Sequence, residues 1–390
     1  MTGAAYMPGA TERVLVRERA PDALAPGAPT GAPLPFHSTM PGYAPTLLRS
    51  APGIASRLGI AEVLVKDESE RFGLPSFKIL GASWAVHRAI VDRLGASLED
   101  VRSFDDLAEA ARALQPFALS AATDGNHGRA VARMATLLGF DAHIYVPSQM
   151  AQARIDAIAG EGADVTVVDG GYDDAVRRSS EIAGERCLVI SDTSWPGYED
   201  VPRWVIEGYS TIFLEVEDAL AQRGAERPDL VAVQIGVGAL AAAAVAHFWG
   251  AAGARPRLVG VEPTTAACVL HSVEQGRIVA LEGDAQASMM AGLNCETASL
   301  VAWPLVSRGI DAYMSVDDAR LPEAMTLLAA EGIVAGETGA AGLAGMLRLA
   351  DDGVPSGSRV LGAETRLLLI CTEGATDPEN YARLTGQPST

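Results

Sequence analysis

The chain has 390 residues, 48% of them hydrophobic and 20% charged, which suits an enzyme of two to three domains and excludes wholesale disorder. A net charge of −19 repels phosphate backbones and anionic lipid, so general nucleic-acid binding and membrane-surface docking are excluded as its main activity. The four cysteines (Cys187, Cys268, Cys295 and Cys371) are scattered without a CxxC pair, which fits a reducing, cytoplasmic setting and rules out a disulfide-stapled fold.

Residues 1–35 are rich in Ala, Gly and Pro and lack an apolar segment behind a basic start. They read as a flexible or draped N-terminal arm rather than a signal peptide. From Glu62 onward short β-rich runs alternate with helical patterns. The predicted strands are VLVK (63–66), FALSAA (117–122), HIYVP (143–147), DVTVVD (164–169) and CLVIS (187–191). LVAVQI (230–235), RLVGVEP (257–263) and RLLLICT (366–372) complete the set. Helical stretches such as GNHGRAVARMATLLG separate most of them, so the fold class is α/β with parallel sheets buried on both faces. Leu230 to Ala254 is nearly uncharged and about as long as a bilayer span. Gln234, His247 and several glycines interrupt it, so it reads as a buried strand, a glycine turn and an Ala-rich helix instead.

Composition says where to look for chemistry. Only two of the 30 basic residues are lysines, Lys66 and Lys78, and the asparagines are only Asn126, Asn294 and Asn380. In a chain that has drifted to arginine, a retained Lys or Asn points to a chemical requirement. Lys78, in PSFKILGA, follows a strand and a polar loop and opens a helix. Sheltered by Phe77 and Ile79 it becomes the desolvated amine that Schiff-base chemistry needs, although a surface lysine at a helix start has the same local sequence.

TDGNHGRA (123–130) directly follows FALSAA, a strand–turn–helix geometry that aims backbone N–H groups and polar side chains into the crevice at the strand ends. Asp124 and Asn126 are its candidates; a helix cap at Asp124 is the plainer reading, and His127 reads as a packed supporting residue. Gly236, Val237, Gly238, Ala239 and Leu240 form a loop whose successive amides can wrap a phosphate at a helix N-terminus. The same GVGALA also satisfies a dinucleotide pattern, with Glu262 placed where a ribose-binding acid belongs. An NAD(P)-dependent oxidoreductase is therefore the rival from a different chemical class. DTSWPGYED (192–200) and CTEGATDPENY (371–381) each follow an apolar strand, the second placing Thr372 at a strand's carboxyl end.

Taken together and in this order, SFKILGA, TDGNHG, DTSWPGY, GVGAL, GLNC and TEGATDPENY resemble the fold type II pyridoxal-phosphate enzymes, the tryptophan synthase β-like group. Within it, TDGNHGRA, DTSW and the TEG–TDPENY segment resemble most the diaminopropionate ammonia-lyase family. The resemblance spans about Phe36 to Tyr381. It implies a two-domain fold: a large cofactor-binding domain over 36–84 and 200–390, and a small one over 85–199. It implies pyridoxal 5'-phosphate as cofactor, a small amino acid as substrate and a homodimer.

The residue roles it implies are these. Lys78 carries the cofactor as a Schiff base and exchanges the Cα proton. Phe77 flanks the pyridine ring, and Asn126 bonds its phenolic oxygen. The amides of Gly236–Leu240 hold the phosphate. Thr372 meets the pyridine nitrogen, a neutral partner that moderates the electron sink. Asp124 acts as a second base opposite Lys78, admitting D- as well as L-substrate, and Asp192 holds the β-ammonium group. The implied reaction is α,β-elimination of 2,3-diaminopropionate to pyruvate and two ammonia. Two departures from the family pattern, Glu296 after the cysteine of GLNC and Ala375 in GATDP, leave room for a reshaped substrate pocket and a relative acting on another β-substituted amino acid. A dehydratase of serine, threonine or another β-substituted amino acid is the runner-up.

Overall fold

The structure, a computed structural model, describes residues 12–17, 33–123, 125–250, 255–281, 287–353 and 360–389. It divides into two units. The larger comprises Met1–Pro29, Thr46–Ser69 and Ile212–Thr390, and the smaller Thr30–Pro45 and Glu70–Thr211.

In chain order the strands are β1 (Val14–Val16), β2 (Leu48–Ser50), β3 (Glu62–Asp67), β4 (Ala118–Ala122), β5 (Asp141–Pro147) and β6 (Asp164–Val168). They continue with β7 (Cys187–Val189), β8 (Leu230–Gln234), β9 (Arg257–Pro263), β10 (Ala312–Val316) and β11 (Arg366–Cys371). The larger unit holds a seven-stranded sheet in the order β1-β10-β9-β8-β11-β3-β2, parallel except for its two edge strands. The smaller holds an all-parallel four-stranded sheet, β6-β5-β4-β7.

β8 and β10 are buried at every position, as are all but the first residues of β3, β9 and β11. This burial on both faces is why their sequences read as continuous apolar runs rather than alternating ones. The helix Glu337–Asp352, built largely from small residues, packs into the core over this sheet with Leu321–Ala330 beside it.

All eight predicted strands are present, and LVAVQI resolves into β8, a glycine loop and the helix Ala239–Gly250. Among the described residues no helix is long and apolar enough to cross a membrane. The described part of the N-terminal arm is draped: β1 pairs antiparallel with β10, Val14 opposite Met314, and Pro33–His37 is helical. The domain boundary expected between residues 84 and 85 runs differently. It would cut the continuous helix Lys78–Leu94, which belongs as a whole to the smaller unit, so Lys78 lies there and not in the larger one.

That helix is anchored by close approach to Asp200–Gly208. A Cβ at Gly81 would lie 2.5 Å from the Tyr209 ring, and one at Gly208 would lie 2.4 Å from the Leu80 carbonyl oxygen. Gly208→Val is expected to destabilise the protein by about 2–3 kcal/mol, because the obstacle is backbone that cannot rotate away. Thermal denaturation monitored by circular dichroism reads the drop; an unchanged midpoint contradicts this account of the packing.

Candidate active site

In the smaller unit, chemistry gathers at strand carboxyl ends and one helix start. Lys78 is the first residue of its helix, with Phe77 as the flanking cap residue. Its Nζ donates to Asp192 Oδ2 at 2.6 Å, the two side chains being 19% and 9% exposed. Burial acts to raise the Asp192 pKa, but the Lys78 ammonium, with help from His127, overcomes it and holds the carboxyl well below the usual carboxylate range. Asp192 is therefore an ionised carboxylate in a sheltered place.

The loop that presents Asp192 is knotted by Tyr198. Its hydroxyl donates to the Val189 carbonyl at 2.7 Å and accepts from the Ser191 amide at 3.0 Å. The ring stacks on Trp195 with centroids 4.2 Å apart. His127 Nε2 lies 2.7 Å from the Ile190 carbonyl oxygen, a packed supporting role as its sequence context suggests. Phe77 packs its ring 4.6 Å from that of the buried Tyr209, and Lys78 Nζ sits 5.6 Å from the Phe77 centroid.

Asn126 opens the helix Asn126–Leu138 just beyond β4, whose parallel neighbour β7 leads to Asp192. Asp124 lies outside the described residues. Thr123 Oγ1 accepts from the amides of Gly125 at 2.9 Å and Gly128 at 3.0 Å. Thr123 supplies turn bonds of the kind the sequence had suggested for Asp124.

The larger unit carries the glycine loop and Thr372, again at the carboxyl ends of neighbouring parallel strands, β8 and β11. Gly236–Leu240 runs from β8 into the helix Ala239–Gly250, whose first amides have no partner within the helix. A Cβ at Gly236 would stand 3.0 Å from the Gly292 carbonyl and 3.1 Å from Cys295 Sγ. Gly238 takes a φ of 103°, closed to side chains. Ser299 N donates to the Val237 carbonyl at 2.9 Å, so this peptide is pinned. A cradle of fixed backbone with glycines at its turns fits a phosphate.

Thr372, buried, follows β11, and its Oγ1 accepts from Gln234 Nε2 at 2.8 Å. The smaller unit thus offers a sheltered lysine amine, and the larger a glycine cradle and a buried hydroxyl, each a kind of group that a pyridoxal phosphate can use.

The rival dinucleotide reading fails at Glu262. It is fully buried, and its two carboxylate oxygens accept from Val269 N and Leu270 N at 2.8 Å each. Burial pushes its pKa up to about 8 against the pull of those donors. A side chain fully buried against the start of the helix Cys268–Gln275 is not presented to a ribose.

The other retained lysine and asparagines are structural: Lys66 Nζ, at 0% exposure, donates to Glu215 Oε2 at 2.5 Å and to the Thr46 carbonyl at 2.8 Å. Asn294 exchanges hydrogen bonds with the Ser288 backbone, and Asn380 donates to Glu337. Of the two departures from the family pattern, Glu296 is exposed and Ala375 packs partly buried against the larger unit's core. Sequence reasoning missed Thr123, Tyr209 and Gln234. Gln234 left a usable signal, as an amide on the last residue of an otherwise apolar buried strand.

Comparison with known proteins gives the family. The family model "Pyridoxal-phosphate dependent enzyme" matches residues 39–363. Diaminopropionate ammonia-lyase of Salmonella typhimurium is 34% identical over 363 residues, which cover 89% of each chain. The crystal structure of the Escherichia coli diaminopropionate ammonia-lyase in complex with D-serine superposes with a TM-score of 0.85, at 30% identity, over 96% of this chain and 97% of that one. The same enzyme with an aminoacrylate–pyridoxal-phosphate azomethine intermediate gives 0.84 at 29% identity, covering 98% of both. The chain belongs to the pyridoxal-phosphate dependent enzyme family, alongside the diaminopropionate ammonia-lyases, and its cofactor is pyridoxal 5'-phosphate.

Proposed function

We propose that this protein is a lyase that eliminates the β-amine of 2,3-diaminopropionate, giving pyruvate and two molecules of ammonia. The observation that carries the reading is the Lys78–Asp192 pair. An ionised, sheltered carboxylate beside the reactive amine is what a substrate with a second ammonium group needs and what a hydroxy amino acid does not. The similarity to diaminopropionate ammonia-lyases over 89% of the chain supports the same substrate.

When bound, pyridoxal phosphate supplies the electron sink that makes the Cα proton removable. The amides of Gly236, Val237, Gly238, Ala239 and Leu240 would take its phosphate, Asn126 its phenolic oxygen and Thr372 its ring nitrogen, while Phe77 would flank the ring. Lys78, whose Nζ would carry the cofactor, would take the substrate's Cα proton at that same atom. Asp192 holds the β-ammonium in its protonated form, the form in which it is a competent leaving group. Loss of that ammonia leaves aminoacrylate, which water converts to pyruvate and the second ammonia. Asp124 is the base for the opposite face. Each proton transfer of this kind is worth about 10²–10⁴-fold.

The chain is further proposed to act as a cytoplasmic homodimer, in line with its family resemblance and with four cysteines that form no disulfide.

The test compares D- and L-diaminopropionate with serine as substrates for the wild type and Asp124→Ala. Faster turnover of diaminopropionate than of serine is expected, with the variant losing D-isomer activity about 10²-fold more than L. Preference for serine contradicts the substrate assignment, and equal loss on both isomers contradicts the role of Asp124.

A further inference from the structure

Tyr209 caps the C-terminus of the helix Asp200–Gly208, is fully buried and is absent from the chemistry described so far. Its ring lies over Gly81, where an added Cβ would stand 2.5 Å from one ring carbon and 2.8 Å from the carbon that bears the hydroxyl. Gly81 comes three residues after Lys78 in the helix Lys78–Leu94, so the two share a helix face. The Tyr209 ring also packs 4.6 Å from that of Phe77, and Lys78 Nζ is 5.6 Å from the same Phe77 centroid. These contacts put the phenol beside the lysine amine. Burial pushes the Tyr209 pKa up; the charge of Lys78 and a hydrogen bond with it pull the other way, and Asp192 pushes with burial. Tyr209 is thus a neutral hydroxyl. The contact with Lys78 is loose, and the hydroxyl has no well-aligned partner among the described residues. A buried polar group in that condition calls for an explanation, and a part in the chemistry is one.

We infer that Tyr209 is a positioning residue for Lys78: its hydroxyl oxygen accepts from the Lys78 ammonium, aims Nζ and steadies the proton that Lys78 holds after taking it from the substrate. This rests on the reading that Lys78 is the base at Cα. The lysine has opposed tasks. As a base it must be a neutral amine; once it has the proton it is an ammonium in a sheltered place, where an uncompensated charge is costly. Asp192, 2.6 Å away, serves the ammonium. A substrate whose β-ammonium turns to Asp192 divides that carboxylate between two cations. The Tyr209 oxygen stays with Lys78, because its ring is fixed by Phe77 and Gly81. A hydroxyl can donate to the neutral amine and accept from the ammonium, and the second bond is the stronger because it is charge-assisted. Tyr209 therefore favours the protonated lysine without locking it in a second ion pair. The other titratable groups of this corner, among the described residues, are Asp192 and the His127 that acts on it.

The test reads the lysine itself. The chain has only two lysines, so protein labelled with carbon-13 at lysine Cε gives two signals, and Lys78→Ala tells them apart. The full chain without cofactor is titrated as wild type, Tyr209→Phe and Tyr209→Met, with Lys66, buried against Glu215, as the internal control. Phenylalanine keeps the ring in its place and removes only the hydroxyl; methionine is a second, flexible filler that lacks it too. Thermal denaturation identifies the variants that are folded. In both, Lys78 should release its proton at a pH at least about half a unit lower than in the wild type, because a charge-assisted hydrogen bond is roughly twice as strong as a neutral one. With cofactor bound, kcat should fall about 10- to 100-fold while KM changes less than about threefold. A tyrosine that only fills space would leave the Lys78 titration unmoved in Tyr209→Phe. Folded variants in which Lys78 titrates as in the wild type, or in which kcat is unchanged, overturn this inference and leave the diaminopropionate reading standing. A wild type that prefers serine overturns that substrate reading and leaves the titration of Lys78 as it is.

Discussion

Lys78→Ala is expected to abolish the visible absorption of a lysine-linked cofactor and to lower turnover by at least about 10³-fold. No other residue can stand in. The only other lysine, Lys66, has no exposed surface and is held by Glu215 at 2.5 Å and the Thr46 carbonyl at 2.8 Å. Releasing it would leave a buried carboxylate without its counter-charge, at a cost of about 3–5 kcal/mol. Arginine, which supplies every other basic side chain apart from histidine, stays protonated and cannot form a Schiff base. The phosphate cradle proposed for Gly236–Leu240 does not depend on Lys78, so the variant should still bind pyridoxal phosphate, without the covalent chromophore. Equilibrium dialysis together with an absorption spectrum separates the two properties. A variant that keeps the wild-type band contradicts the assignment of Lys78.

Asp192→Asn is expected to reduce kcat/KM for diaminopropionate by roughly 10²-fold or more, and to reduce it less for serine. Removing one partner of a sheltered, hydrogen-bonded charge pair costs about 2–5 kcal/mol, where each 1.4 kcal/mol is tenfold. Asparagine keeps the side chain's shape, and Tyr198 still ties Val189 to Ser191, so the loop stays in place. Part of the loss falls on both substrates, because Lys78 loses its counter-charge in either case. The part specific to diaminopropionate reports the ammonium that serine lacks. Steady-state kinetics on both substrates with both proteins give the ratio, and equal losses contradict a role for Asp192 in holding the β-ammonium.

The legible parts of this protein were those in which a strand ends in an unusual loop. β8 and β11 could be read from apolar runs because both faces of a parallel sheet are buried, and GVGAL and Thr372 followed from where those runs stop. Lys78 stood out against an arginine background; Lys66 stood out equally, and only burial beside Glu215 distinguishes the two. The short edge strands β1 and β2, three residues each, have too little sequence to show a period. Where the smaller unit starts was hidden for another reason. The helix Lys78–Leu94 bears the lysine proposed to carry the cofactor, which invites assignment to the cofactor-binding domain, but Gly81 and Gly208 pack it against Asp200–Gly208. Long-range hydrogen bonding was also beyond reach: Gln234 donates to the carbonyls of Thr338 and Ile370, far away in sequence.

The most direct test of the central claim is product stoichiometry. The purified protein, loaded with pyridoxal phosphate, is given 2,3-diaminopropionate, and pyruvate and ammonia are measured in the same samples over time. The account predicts two ammonia for each pyruvate, one from the β-position and one from hydrolysis of aminoacrylate. No pyruvate from diaminopropionate, alongside pyruvate and a single ammonia from serine or 2-oxobutyrate and a single ammonia from threonine, would contradict it and make the protein a dehydratase.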